Sequence, residues 1–268
     1  ESFLNEAIDS IYSQTYDNWE IIFWDNASTD SSAIIAKSYD KRLRYFHSKV
    51  KTNLGQARNL ACDQANGRYL SFLDVDDYWL SNKLTKQIKI FENSKDELGF
   101  VYGRSKNQNE LNGKVLIYKE YENLPEGDIF KKLLIEDFIP FCSAMINKKM
   151  FHEIGGFPAH FNHSTDYWLF LHLAKNNLVG VLQEVCCVFR IHKGNLSNSQ
   201  HLICARENIE LVKKFHQEEG AKIGLKYQYV NLSLSFLIKK KYISAIKVLF
   251  LHGGWFIFLK KIIRKIFQ

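Results

Sequence analysis

Three carboxylates within four positions end the apolar stretch Leu70-Ser71-Phe72-Leu73-Asp74-Val75-Asp76-Asp77. Such a stretch reads as a buried strand, and a core does not tolerate three unpaired negative charges. The strand must therefore surface at Asp74. That puts the acids at its C-terminal end, where open α/β sheets bind ligands. Two uses suit them. Mg²⁺ and Mn²⁺ take oxygen ligands and are usually held by one or two carboxylates plus the phosphates of a substrate. Alternatively, Asp76 or Asp77 caps a helix beginning after Trp79, a common task of aspartate, and the others are solvated. The stretch alone leaves both open.

Other polar positions bear on the choice. The turn Asp25-Asn26-Ala27-Ser28-Thr29-Asp30 follows the strand-like run Glu20-Ile21-Ile22-Phe23-Trp24. Between the two acidic turns, Asn53-Leu54-Gly55-Gln56-Ala57-Arg58-Asn59 opens a helix whose first turns carry Arg58. A helix N-terminus beside a guanidinium suits a diphosphate, although Arg58 by itself reads as readily as a surface salt bridge. Neither G-x-G-x-x-G nor G-x-x-x-x-G-K-[ST] occurs, so the dinucleotide fingerprint and the P-loop are absent. Asp166 precedes the apolar helical run from Tyr167 to Ala174, where the helix dipole favours its ionised form; a plain helix cap is its simpler use. His192 lies in Arg190-Ile191-His192-Lys193-Gly194. His152, His160 and His163 lack the H-E-x-x-H spacing of a zinc site and read as loop residues.

The elements that position these residues follow from apolar periodicity. Phe3, Leu4, Ala7, Ile8, Ile11 and Tyr12 recur as one helical face. Strands are expected at residues 20–24, 43–46 and 68–73, and helices at about 31–39 and 55–66, the latter stopped by Gly67 as its C-terminal cap. Strands alternating with helices of about ten residues predict a doubly wound, mostly parallel sheet. In such a sheet the loops at Asp25 and Asp74 emerge at one edge.

Composition bounds the rest. A chain of 268 residues, 46% hydrophobic, can bury a substantial core. Its five cysteines are odd in number and none shows C-x-x-C spacing, which disfavours a zinc site or disulfide framework and suits a reducing compartment. The net charge of +7 is uneven: residues 220–268 hold ten Lys/Arg and no acid, leaving the remainder at −3. Val248 to Leu259 is apolar but spans only twelve residues, against the ~20 of a membrane-crossing helix. With the lysines after it, the segment reads as a basic amphipathic helix lying on an anionic membrane, or as a helical hairpin whose lysines are solvated.

In their order and spacing, four blocks resemble the family 2 glycosyltransferases, enzymes of the GT-A fold. They are Trp24-Asp25-Asn26-Ala27-Ser28-Thr29-Asp30; Asn53 to Asn59 with Gly67 to Asp77; Gly155-Gly156-Phe157 through Thr165-Asp166-Tyr167-Trp168-Leu169; and Phe189-Arg190-Ile191-His192. The resemblance covers residues 1 to about 199. It implies a Rossmann-like GT-A domain over 1–200, a helical basic extension over 201–268, and a family first strand placed ahead of Glu1.

The resemblance also implies roles. Asp74 and Asp76 match the family's D-x-D, whose carboxylates hold Mg²⁺ or Mn²⁺ and the donor's ribose-diphosphate, with His192 assisting at the metal. Asp25 and Asn26 match the nucleobase contact, and Arg58 joins the nucleotide-sugar site. Many members carry two acids at the base. Asn26 departs from that, but its amide oxygen can accept from an imide N–H, so a uridine nucleotide is expected. Asp166 matches the catalytic base of an E-D pair whose first member is here Thr165. Tyr78 and Trp79 either wall the sugar pocket or belong to the core. The expected enzyme is an inverting glycosyltransferase that moves a sugar from a nucleotide-sugar to a hydroxyl of a glycan or lipid-linked saccharide, as in surface polysaccharide synthesis. It is expected in the cytoplasm, peripheral on the membrane's cytoplasmic face. The rivals are a metal-dependent sugar nucleotidyltransferase and a nucleic-acid-binding module; the acidic body argues against the second, and no nucleic-acid partner is expected.

Overall fold

The structure, a computed structural model, describes residues 1–195 and 200–266. The chain divides into two compact units, one of Glu1–Ile129 with Ile139–Lys193 and one of Phe130–Phe138 with Gly194–Gln268.

The first unit opens with α1 (Leu4–Tyr12), β1 (Ile21–Asp25), α2 (Ser32–Lys37) and β2 (Leu43–His47). The helix α2 provides the crossover that parallel neighbours require, and β1 and β2 pair in parallel from Ile21↔Leu43 to Asp25↔His47. The apolar stripe of α1 closes over them, with Leu4, Ile8, Ile21, Ala36 and Leu43 in one buried cluster. Next come α3 (Leu54–Gln64), β3 (Tyr69–Ser71), β4 (Tyr78–Trp79), α4 (Lys83–Asn93), β5 (Leu98–Asn109) and β6 (Val115–Ile117). After α5 (Phe130–Ile135) of the second unit, the chain returns with β7 (Met145–Asn147), α6 (Lys148–Glu153), α7 (Thr165–Asn176) and β8 (Leu178–Ile191).

The larger sheet has the order β3-β7-β5-β8-β4, with β6 beside β5. Its centre is β5, whose Phe100, Val101 and Tyr102 are wholly buried, as expected of a strand covered on both faces. The pairing is more mixed than strand–helix alternation suggests. β5 and β8 run parallel, while β7 is antiparallel to both β3 and β5 and β4 is antiparallel to β8. Among the strands beside β5, β6 and β7 are laid in the opposite sense and only β8 in the same sense. Among the described residues β1 pairs only with β2 and β3 only with β7. A cavity of about 510 Å³ lies between these strands, lined by Ile21, Phe23, Leu70, Phe72, Leu4 and Ile8. None of Asp25, Asp74, Asp76 or Asp166 lines it.

The end of α3 corrects one expectation. The helix stops at Gln64, Ala65 turns extended, and Gly67 is absent from the left-handed positions, so it is no helix cap. Tertiary bonds end the helix instead: Lys148 Nζ donates to the Ala65 carbonyl and the Asn66 N–H donates to Glu20.

The second unit is helical: α5, α8 (His201–Lys214), α9 (Ala221–Ile238), α10 (Tyr242–His252) and α11 (Trp255–Ile266). Ala205, Ile209 and Leu232 form a buried cluster joining α8 to α9. At Gly224 a Cβ would stand 2.0 Å from the Leu134 carbonyl oxygen, so glycine is what lets α9 lie against α5.

Candidate active site

The helix α3 organises one side of the site. Asn53 caps its N-terminus, accepting from the Gln56 N–H at 2.8 Å. Its Nδ2 also donates to the Ala159 carbonyl at 2.9 Å. Six residues on, Asn59 accepts from the Phe157 N–H at 2.8 Å and donates to the Phe157 carbonyl at 2.9 Å. At Gly55 a Cβ would meet the Pro158 carbonyl oxygen at 2.8 Å. The first turns of α3 thus clamp the loop that leads into α7 and Asp166. The two blocks, far apart in sequence, meet here in space.

Arg58 extends from this clamp. Its guanidinium donates to Asp74 Oδ1 at 3.0 Å and to Thr165 Oγ1 at 3.1 Å. It also stacks 4.1 Å from the Phe141 ring centroid, a contact the sequence did not reveal. Arg58 therefore links the acidic turn after β3 to the start of α7, its partner Thr165 lying 107 residues further along the chain. Asp166 accepts the Tyr167 N–H at 2.8 Å. Burial pushes its carboxyl above the usual range, opposed by the Arg58 charge and the backbone N–H. The helix end alone would hold Asp166 ionised, so desolvation makes it a stronger base than its position suggests.

The acidic turn is shaped by its own backbone and by β8. The Asp77 N–H donates to the Asp74 carbonyl at 3.0 Å. Asp77 is buried, and its Oδ1 accepts the Arg190 N–H at 2.9 Å. Burial raises its carboxyl to about 7, with Asp74 and Asp76 adding to the rise. Neither Asp76 nor Asp77 caps α4, whose N-cap is Asn82. Asp76 Oδ2 lies 3.0 Å from His192 Nε2. The Asp76 carbonyl accepts from Arg190 Nη1 at 3.3 Å. The Arg190 side chain is only 3% exposed, ion-paired to Glu6 at 2.5 Å and to Glu110 at 3.5 Å, and it packs on the Phe3 and Tyr78 rings. The sequence signal for Arg190 is its charge two positions before His192, after the apolar run Val185 to Phe189. Tyr78 and Trp79 pair with β8, and Trp79 lies in the core.

The loop after β1 is built differently. Asp25 is buried; its Oδ1 accepts the Ser28 N–H at 2.7 Å and its Oδ2 accepts the Tyr45 hydroxyl at 2.6 Å. Burial opposes its charge, but the bonds from Tyr45 and Ser28, with His47 nearby, outweigh it and hold the carboxyl below its usual range. Asn26 is tied to Thr52: its Nδ2 donates to the carbonyl at 2.9 Å, and its Oδ1 accepts from the N–H at 3.0 Å and the hydroxyl at 3.1 Å.

The described residues contain no cluster of three or more metal-binding side chains. The Asp76–His192 pair, with Asp74 on the same turn, still offers a donor set that fits Mg²⁺ or Mn²⁺, which are commonly held by one or two carboxylates while phosphates and water complete the shell.

Comparison with known proteins gives the site a context. The profile of glycosyl transferase family 2 matches residues 1–155. The Escherichia coli UDP-Glc:alpha-D-GlcNAc-diphosphoundecaprenol beta-1,3-glucosyltransferase WfgD is 28% identical over 205 residues, covering 75% of this chain and 76% of that protein. Two Rickettsia glycosyltransferases match as well, and of these the chain spans 36% and 33% of the length. Staphylococcus aureus TarS 1-349, solved with UDP-GlcNAc, superposes with a TM-score of 0.69 at 18% identity, covering 91% of this chain and 76% of that one. The mannosyltransferase PcManGT from Pyrobaculum calidifontis, solved with GDP-Man and Mn²⁺, gives 0.65 at 16% identity, covering 94% and 72%. These two structural likenesses are of fold, and the fold is GT-A.

Proposed function

The chain belongs to glycosyl transferase family 2, and from that premise we propose that it transfers a sugar, with inversion, from a uridine diphosphate donor to a hydroxyl of a lipid-linked saccharide. The observation that carries this reading is the Arg58 bridge, which joins the carboxylate turn at Asp74 to the helix start at Thr165-Asp166. A leaving-group end and a base end are thereby held by one guanidinium. The names of relatives support the substrates. WfgD takes UDP-Glc to a diphosphoundecaprenol-linked sugar, and TarS was solved with UDP-GlcNAc.

Each residue then has a task. Asp166 accepts the proton of the acceptor hydroxyl as its oxygen attacks the anomeric carbon and the bond to the diphosphate breaks. Proton transfer to a positioned base is worth ~10²–10⁴-fold in rate. Arg58 orients the donor's diphosphate and fixes Asp74. Asp76, Asp74 and His192 would hold Mg²⁺ or Mn²⁺, which when bound neutralises charge on the departing diphosphate. Asp25 and Asn26 shape the floor beneath the base through Ser28 and Thr52. The place of action is the cytoplasm, on the donor's side of the membrane.

A panel of nucleotide-sugars with a diphosphate-lipid saccharide acceptor, scored by release of nucleoside diphosphate with and without EDTA, tests the reading. Acceptor-dependent release of UDP, suppressed by EDTA, is expected. Release of pyrophosphate from a nucleoside triphosphate and a sugar phosphate would instead establish a nucleotidyltransferase, which the family match does not favour.

A further inference from the structure

Helices α10 and α11 carry an apolar surface that their packing within the second unit leaves uncovered. On α10, Ala245 and Leu249 are buried, four residues apart on one helical face, and the helix packs against α9. Ile243, Ile246 and Phe250 form a separate stripe, spaced by three and four residues, with Ile243 85% and Phe250 80% exposed. Gly253 and Gly254, both at positive φ, break the helix. Beyond them α11 exposes Trp255, Phe256 and Leu259, with Phe256 at 70%. Exposed apolar residues are ordinarily scattered singly, whereas a row of them marks an interaction surface.

The charge around this row selects the partner. Residues 220–268 contain ten Lys/Arg and no Asp or Glu. Lys239, Lys240 and Lys241 are exposed in the turn before α10, Lys247 is exposed on it, and Lys260 is exposed on α11, its Nζ 4.6 Å from the Phe256 ring centroid. We propose that this face docks on an anionic phospholipid surface, with the apolar row in the acyl boundary and the lysines among the headgroups. A second copy of the chain would bring the same lysines and be repelled. A nucleic acid would answer the lysines but leave Ile243, Phe250 and Phe256 in water. Spanning is excluded for these helices by length, since they have 11 and 12 residues and no described helix is long and apolar enough to cross a membrane. The surface lies in the second unit and its test needs no turnover, so it stands or falls separately from the proposed transfer.

The test is co-sedimentation of the full chain with vesicles of phosphatidylcholine alone or containing phosphatidylglycerol. Partition onto the anionic vesicles is expected to be on the order of a hundredfold stronger and to weaken with salt. The double variant Phe250→Glu/Phe256→Glu changes exposed side chains only, and its fold is checked by circular dichroism. It should lose partition by about tenfold or more. Trp255 fluorescence, isolated by subtracting Trp255→Phe, should shift to the blue on binding. Equal binding to both vesicles, or unchanged partition of the double variant, would overturn the proposal. So would a self-association abolished by that variant while vesicle binding persists.

Discussion

Asp25 ends β1 and Asp74 lies in the turn after β3, in the same unit, yet their carboxylates meet different surroundings. Asp25 is buried, and both its oxygens accept bonds from its own loop and from β2. Its neighbour Asn26 is held by three bonds to Thr52. Asp74 is half-exposed and meets a single guanidinium, that of Arg58. Asp76, two residues on, faces His192. Residue type and place at a strand end are shared; what differs is how far the protein's own hydrogen-bonding groups satisfy the acid. The first loop is built to hold a shape, and the second leaves Asp74 half-exposed, as its proposed part in the metal-diphosphate site requires.

The contrast can be broken by substitution. Asp76→Asn should lower kcat/KM by about 10³-fold or more, as losing a group that acts on developing charge does, while the melting temperature moves by no more than about 2 °C. Steady-state kinetics and thermal denaturation of the same preparation check both halves. Asp25→Ala should show the reverse emphasis in stability. It leaves the Tyr45 hydroxyl and the Ser28 N–H, both in part-buried bonds, without their acceptor, at ~1–3 kcal/mol together, and should lower melting by roughly 3–8 °C. If Asp76→Asn proved the more destabilising of the two, the division between the loops would fail.

Asp77 sharpens the comparison within the second loop, since it is the one acid of that turn drawn into the core. Its folded value of about 7 lies above the ordinary 3.8. Its contribution to stability is therefore full below the unfolded value and lost as pH rises through about 7. In EDTA, wild-type melting should fall between pH 5 and pH 8 by on the order of 5 °C, since one pKa unit is worth about 1.4 kcal/mol. Asp77→Asn keeps an acceptor for the Arg190 N–H and should flatten that slope. An unchanged slope would place the titrating group elsewhere.

Much of this architecture was legible in the sequence because it is written locally. The apolar run into Asp74, the helical period of α1 and the opening of α3 at the Asn53–Asn59 segment each depend on a few adjacent residues, and the family blocks supplied the GT-A fold. The acidic turn at the end of β3 was legible for the same reason. What escaped rests on distant contacts. The antiparallel placing of β7 depends on β5 and β3 together, and the end of α3 is set by Lys148 and Glu20 rather than by Gly67. The engagement of Asn26 with Thr52 spans 26 residues and the Arg190 hold on Asp76 spans 114; no local pattern encodes either.

The central claim is that departure and deprotonation are handled at opposite ends of the Arg58 bridge. Its most direct measurement is Asp166→Asn, assayed both for acceptor-dependent release of nucleoside diphosphate and for donor affinity by calorimetry with Mn²⁺. The account predicts that release falls by ~10²–10⁴-fold while donor affinity stays within about threefold of wild type. Undiminished turnover would remove Asp166 as the base, and loss of donor affinity in step with turnover would assign it to the leaving-group end instead.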